Sequence, residues 1–311
     1  MARLAVQLLV LLLLGSPKVS GQQEADSLFN MAIDQPRYAE GKGPLILLDE
    51  AHHNFHTTAG RFRPFTEFLR RDGYIVKGNR QLFNPVSLRD VRILVIANAL
   101  NEANVESWSL PTPSAFTDDE IRYVVEWVKQ GGALFLIADH MPFPGAASKL
   151  ANAFGFTFYN GFAVRRSEPD HSPGVALNVP DIFTPGHGLI EGPITRGARP
   201  GEEVTSVRTF TGQAFGIPSG STPLIVLDSN YELLLPETAW EFARNTTHQP
   251  ADGLAQGASL QFGKGRIVVF GEAAMFSAQV QRGVRMGMNA PDAKQNPKFL
   301  LNIIHWLEAT K

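Results

Sequence analysis

Gly131-Gly132-Ala133-Leu134-Phe135-Leu136-Ile137-Ala138-Asp139-His140-Met141-Pro142-Phe143-Pro144-Gly145 decides how this chain reads. Two glycines able to stop a helix are followed by apolar residues with no polar alternation. The run then ends in a carboxylate and an imidazole, with prolines and a glycine behind them. Such a run suits a parallel strand buried on both faces. In open parallel sheets ligands sit beyond the carboxyl ends of the strands, so Asp139 and His140 stand where function is expected.

Working outward, the same pattern recurs. Pro44 to Leu48 is apolar and ends in Asp49-Glu50-Ala51-His52-His53-Asn54-Phe55-His56, and Val91 to Ala97 ends in Asn98 with Asn101 close behind. Tyr74-Ile75-Val76 reads as a strand between them, and Phe156 to Tyr159 as a fifth. Phe62, Phe65, Phe68 and Leu69 mark one helical stripe before Asp72-Gly73. Thr117-Asp118-Asp119-Glu120 fits a capping box opening a second helix, and Ala146 to Phe154 is a third. From about 160 to 222 prolines and glycines dominate, and only Val204 to Phe210 reads as strand, so a loop-rich insertion is expected over the sheet edge. Ala258 to Phe262 and Arg266 to Phe270 flank Gly263-Lys264-Gly265 as a hairpin. Pro297 to Leu307 makes a closing amphipathic helix. The sum is an α/β doubly wound, mostly parallel sheet with an insertion and a C-terminal hairpin and helix.

The chain has 311 residues, 44% of them hydrophobic, enough for a sizeable core. Lys+Arg 28 against Asp+Glu 30 leaves no electrostatic footprint for nucleic acid or an anionic membrane. Met1-Ala2-Arg3, the apolar run Leu4 to Leu14 and the small residues before Gln22 read as a signal peptide over 1–21, with 22–42 an extended lead-in and 43–311 a single domain. The run falls short of the roughly 20 residues a bilayer span needs, which makes a retained anchor the alternative to a cleaved leader, and no later segment approaches that length. The expectation is therefore an exported protein, periplasmic or extracellular, with no membrane span in the mature chain. The absence of cysteine removes disulfides and any thiol nucleophile.

Several strands end in polar side chains, and parallel neighbours about 4.8 Å apart would gather those ends within roughly 10 Å. Asp139, His140 and Glu50 are the candidates for acid–base catalysis, since a carboxyl and an imidazole can share a proton near neutral pH. Asp49, His52, His53, Asn98, Asn101, His187 and Glu272 are candidates for ligand binding. His52, His53, Asp139 and His140 supply donor types that would take a divalent metal, the one cofactor suggested. The alternative for each is local: strand exits are polar because the chain is leaving the core, and loop histidines often bond only to backbone. His171 beside Asp170 could reach the same edge, whereas His305 beside Trp306 reads as packing. No G-x-S-x-G elbow supports a serine nucleophile, and the Gly-Lys-Gly stretches at 41–43 and 263–265 are wrongly placed for phosphate.

The run Leu48 to Asn54, the helix Thr117 to Trp127 feeding Gly131-Gly132, the strand into Asp139-His140, Gly271-Glu272-Ala273-Ala274-Met275-Phe276 and Asn302 to Leu307 together resemble uncharacterised bacterial proteins with a class I glutamine amidotransferase-like domain, near the ThuA-like and GldG-like groups. The resemblance covers about 43–160 and 223–308 and implies a flavodoxin-like sheet. Glutaminases of that fold carry a cysteine on an elbow after a central strand. Here the comparable position reads Ala138-Asp139-His140-Met141, so that mechanism is excluded. The expected function is binding of a small molecule or glycan at the carboxyl edge of the sheet. A metal-assisted or acid–base hydrolase at the same edge, and an envelope scaffold, are the alternatives.

Overall fold

The computed structural model describes residues 23–166 and 181–309. The expected leader, 1–21, and Asp170-His171 lie outside the described residues. Leu45–Asp49 (β1), Ile75–Asn79 (β2), Ile93–Ala97 (β3) and Ala133–Ile137 (β4) are strands, joined later in the chain by the hairpin Ala255–Phe262 (β5) and Gly265–Phe270 (β6). They lie in the order β2-β1-β3-β4-β6-β5, parallel except for β5, which runs against β6. Short strands at Thr222–Val226, Gly188–Leu189, Asp181–Pro185 and Val207–Thr209 continue beyond β5. The protein is thus a mixed α/β structure around one large sheet.

Both faces of the inner parallel strands β1, β3, β4 and β6 are covered, which is why their sequences show no alternation, whereas the edge strand β2 is largely exposed. Ile46, Leu48, Val95, Phe135, Ile137 and Val268 face one core with Phe65, Phe68 and Leu69 of helix Arg63–Arg71 (α1). Leu94, Ile96, Leu134, Leu136 and Val269 face the other with Val124 and Val128 of Asp118–Lys129 (α2) and Leu150 of Phe143–Ala153 (α3). Each such side chain, fully buried, stabilises by about 1.5–3 kcal/mol. The last helix, Asn296–Glu308 (α4), buries Phe299, Leu300, Ile303, Ile304 and Leu307 on the first face. Its final carbonyls, Trp306 O and Glu308 O, receive Arg266 and Arg92, cations placed at the negative end of a helix dipole.

The capping box is present: Thr117 Oγ1 accepts from Glu120 N at 3.3 Å and Glu120 Oε2 accepts from Thr117 N at 3.1 Å. Gly131, at φ +126°, takes the chain out of α2. Two segments differ from their sequence reading. Of Phe156 to Tyr159 only Thr157–Phe158 is strand, and it pairs with Phe215–Gly216 rather than with the parallel series. The segment 160–222 holds more strand than its composition suggests. Phe162–Arg165 pairs with Tyr231–Leu235, and other pieces extend the sheet sideways. Each piece is too short to show a period of its own and is held by partners distant in sequence.

One rung of the sheet fixes where function can sit. Ala97, Ile137 and Phe270 are in register across β3, β4 and β6, so Asn98, Asp139 and Glu272 leave the sheet at nearly the same height. Leu48 pairs with Val95 instead. Asp49 therefore remains one step inside the sheet edge.

Candidate functional site

Asn98, Asp139, His140 and Glu272 line one cleft of about 480 Å³ at the carboxyl edge of the parallel strands. Asn98 sits at φ +50°, a conformation asparagine tolerates better than most residues, and its Oδ1 accepts the Asp139 N–H at 2.9 Å. Asp139 Oδ1 accepts from His140 N at 2.7 Å, and Oδ2 accepts from Ala273 N at 3.3 Å. Glu272 takes the next two amides of the same turn, Ala274 N and Met275 N, each at 2.8 Å. Two carboxyls from neighbouring strands are thereby tied to one turn.

Burial pushes Asp139 above the usual carboxylate range, against the His140 charge and the N–H groups that favour its anion. Burial and then the Asp139 charge push Glu272 well above that range, opposed by the Met275 and Ala274 amides and by Arg208. Two such carboxyls do not ionise independently. His140 completes the cluster. Its Nδ1 lies 2.8 Å from Met141 O, and a carbonyl only accepts, so Nδ1 carries a proton and Nε2 is the nitrogen at which the ring gains or loses one. The ring stacks on Phe162 at 4.7 Å and meets the edge of Trp240 at 4.6 Å. The group can accept a proton or coordinate through one defined nitrogen.

Asp49 and His52 form a different structure, behind the cleft. Side chains alternate along a strand, so Asp49 shares the Leu47 side of β1, the side facing α2. There His52 bridges two carboxylates, with Nδ1 2.8 Å from Asp49 Oδ2 and Nε2 2.8 Å from Glu120 Oε1, between the rings of Phe83 and Phe116. With an acceptor on each nitrogen the ring is an imidazolium. Burial alone would lower its pKa, and Asp49 and Glu120 outweigh that and raise it. Asn54 Nδ2 donates to Asp49 Oδ2 at 3.1 Å, Leu100 N to His52 O at 2.8 Å and Phe55 N to Asn98 O at 2.9 Å. The cluster thus clamps the loop that delivers Phe55 and His56 to the cleft against the segment that carries Asn98.

The remaining candidates lie elsewhere. Glu50 turns away to accept from Thr58 N and Oγ1 and from Arg80. His53 is exposed at φ +46°. Asn101 caps the turn Glu102–Asn104 and donates to Ser114 O. His187 closes a turn with Thr184 and borders a separate cavity of about 340 Å³. The four residues proposed as metal ligands are therefore split, with both His52 nitrogens already engaged. Among the described residues no group of three or more His, Asp or Glu side chains is placed to hold a metal ion.

Sequence reading missed Trp240, Arg208, Phe210, Gln279 and Glu120, and it singled out His56 only within the histidine-rich stretch after β1. Glu120 was hidden by its motif: one carboxylate oxygen closes the capping box, and the other receives His52 and Phe83 N. His56, on the cleft wall, is held down to about 3 by burial first, then by the Arg61 and His140 charges. Its Nδ1 is buried without a partner, as are Arg208 Nε and Gln279 Oε1 on the same walls. Each such atom costs about 1–3 kcal/mol, so the fold concentrates unfavourable polar burial around this cleft.

No protein-family model matches the chain, and no curated protein is similar to it in sequence. Among solved structures, the mmIFT52 N-terminal domain is similar with a TM-score of 0.57 at 14% identity, over 86% of this chain and 98% of that domain. That likeness is one of fold. Structural neighbours also include a ThuA-like protein from Bacteroides uniformis, with a TM-score of 0.45 at 10% identity over 89% of this chain and 94% of that one. A GMP synthase-type protein from Thermoplasma acidophilum gives 0.41 at 11% identity over 85% and 93%.

Proposed function

We propose that the chain is an exported protein whose flavodoxin-like, amidotransferase-like domain binds a small molecule or glycan at the carboxyl edge of its sheet. The strand order β2-β1-β3-β4-β6, with helices on both faces, supports that description of the fold. The leader-like segment supports export, and the absence of cysteine leaves glutamine hydrolysis by a thiolate without its nucleophile. The observation that carries the binding reading is the convergence of Asn98, Asp139, His140 and Glu272, from three adjacent strands, in one aromatic-walled cleft. Concave sites with a few convergent polar groups and perturbed carboxyls are where ligands bind. Ligand-observed NMR against a mixed library of amino acids, nucleotides, organic acids and saccharides tests it. Binding should be lost in His140→Ala and kept in His187→Ala; the reverse pattern would reject the site.

The raised carboxyls favour a second reading, an acid–base hydrolase. In it the protonated Glu272 gives its proton to the leaving oxygen while Asp139 or His140 Nε2 takes the proton of the attacking water. Glu50 has no part, because its carboxylate is engaged on the other side of the loop. Turnover in a hydrolase screen should vanish in Asp139→Asn; undiminished turnover there would remove this reading.

A further inference from the structure

The cleft walls point to a class of ligand. We propose that the cleft takes an uncharged, hydroxyl-rich molecule, a neutral sugar residue, seated against the Trp240 indole and read by the carboxyl and amide groups of Asn98, Asp139, Glu272 and Gln281. This rests on the binding reading above and narrows it.

Trp240 gives the first reason. It holds φ +70°, a strained conformation for a bulky side chain. Its loop is pinned by Ala239 N donating to Trp108 O and Leu110 N donating to Glu237 O, both at 2.8 Å, and by the Ser109 and Thr238 hydroxyls 3.0 Å apart. The indole packs on His140 and Phe162, yet 46% of the residue stays exposed. Packing alone accounts poorly for a strained, fixed and half-exposed indole at the mouth of a polar cleft. Aromatic ring faces are electron-rich and attract the polarised C–H groups on a sugar face.

Charge gives the second. Among the described residues lining the cleft, Arg208 is the one cation, and it is already bonded to Asp292 and stacked over Phe210 at 4.4 Å. An anionic ligand would therefore meet one cation whose charge Asp292 already balances. A cationic ligand would find acids that burial holds toward their neutral form and whose oxygens already accept backbone amides. Carboxyls held toward their neutral form and side-chain amides each offer donor and acceptor positions, the complement of a hydroxyl. The volume, about 480 Å³, lies in the range that encloses small molecules.

The test is isothermal titration of the purified protein with neutral hexasaccharides of glucose, mannose and N-acetylglucosamine, beside oligogalacturonate, glucosamine and amino acids. A neutral saccharide should bind at least about 10-fold more tightly than its charged counterparts, Trp240→Ala should weaken it by about 10-fold or more, and Trp240→Phe should restore most of that loss. Circular dichroism spectra matching the parent would show that these variants fold. Saccharide binding indifferent to Trp240→Ala overturns the inference. A charged ligand that binds in a His140-dependent way, while neutral saccharides do not, overturns the sugar class and leaves the binding cleft standing. Should nothing bind, both fall.

Discussion

The side chain of Asn98 accepts the backbone N–H of Asp139 at 2.9 Å, joining the ends of two adjacent parallel strands at the floor of the cleft. Asn98→Ala would leave that N–H without its partner, at about 1–3 kcal/mol, and force a Cβ-bearing residue without a compensating side chain into a left-handed conformation, at about 1–2 kcal/mol more. Asn98→Gly removes the second penalty and keeps the first. Urea denaturation should therefore rank parent above glycine above alanine. Equal stability of the two variants would mean that the backbone is unstrained.

The Asp49–His52–Glu120 cluster sets a pH dependence. The folded pKa of His52 is raised above the ordinary value of 6.5, so its stabilisation is complete below that pH and is lost as pH rises through the folded pKa. Stability should decline above about pH 6.5, and in His52→Gln that part of the slope should vanish. Removing one partner of so buried a pair is costly, so Glu120→Ala should lose about 3–5 kcal/mol. A parent and a His52→Gln variant with parallel stability curves from pH 6.5 to 9 would contradict the bridge.

His56 acts with the opposite sign. Its folded pKa is depressed to about 3, so the unfolded chain takes up a proton below 6.5 that the folded chain refuses, and stability is lost as pH falls through that window. One proton corresponds to a slope of about 1.4 kcal/mol per pH unit. His56→Phe should flatten the curve between pH 5.5 and 4 by about that slope; an unchanged slope would place the acid sensitivity elsewhere.

For Asp139 and Glu272 the folded values are raised, so folding is favoured below the ordinary carboxylate range and weakened as pH climbs through the raised values. The double variant Asp139→Asn, Glu272→Gln should lose this dependence in thermal melts taken from pH 4 to 8. If it melts with the parent's full pH profile, the two carboxyls do not carry the perturbation.

The parallel core was legible because burial on both faces writes itself as unbroken apolar runs, of which Leu134 to Ile137 is the plainest. The capping box at Thr117 and the hairpin at Gly263 are equally local signals. Side-chain partnership was not legible. Whether Asp49 joins Asp139 depends on the register that pairs Leu48 with Val95 and on the side of β1 that faces α2. Trp240 reaches the cleft from a loop with no period of its own, and Arg208, although its segment reads as a strand, comes to the cleft through pairings that nothing near it in sequence announces. Glu120 looked fully explained by its cap while its second oxygen held His52.

Titration of the small molecule recovered from the library, followed in the Cε1–H spectrum of the eight histidines, most directly tests the claim that the strand ends of β3, β4 and β6 form one binding cleft. The signals of His140 and His56 should move together and saturate at one ligand per chain, while those of His52, His187 and His305 stay in place. Movement of His187 with His140 unchanged would put the ligand in the other cavity and contradict the account.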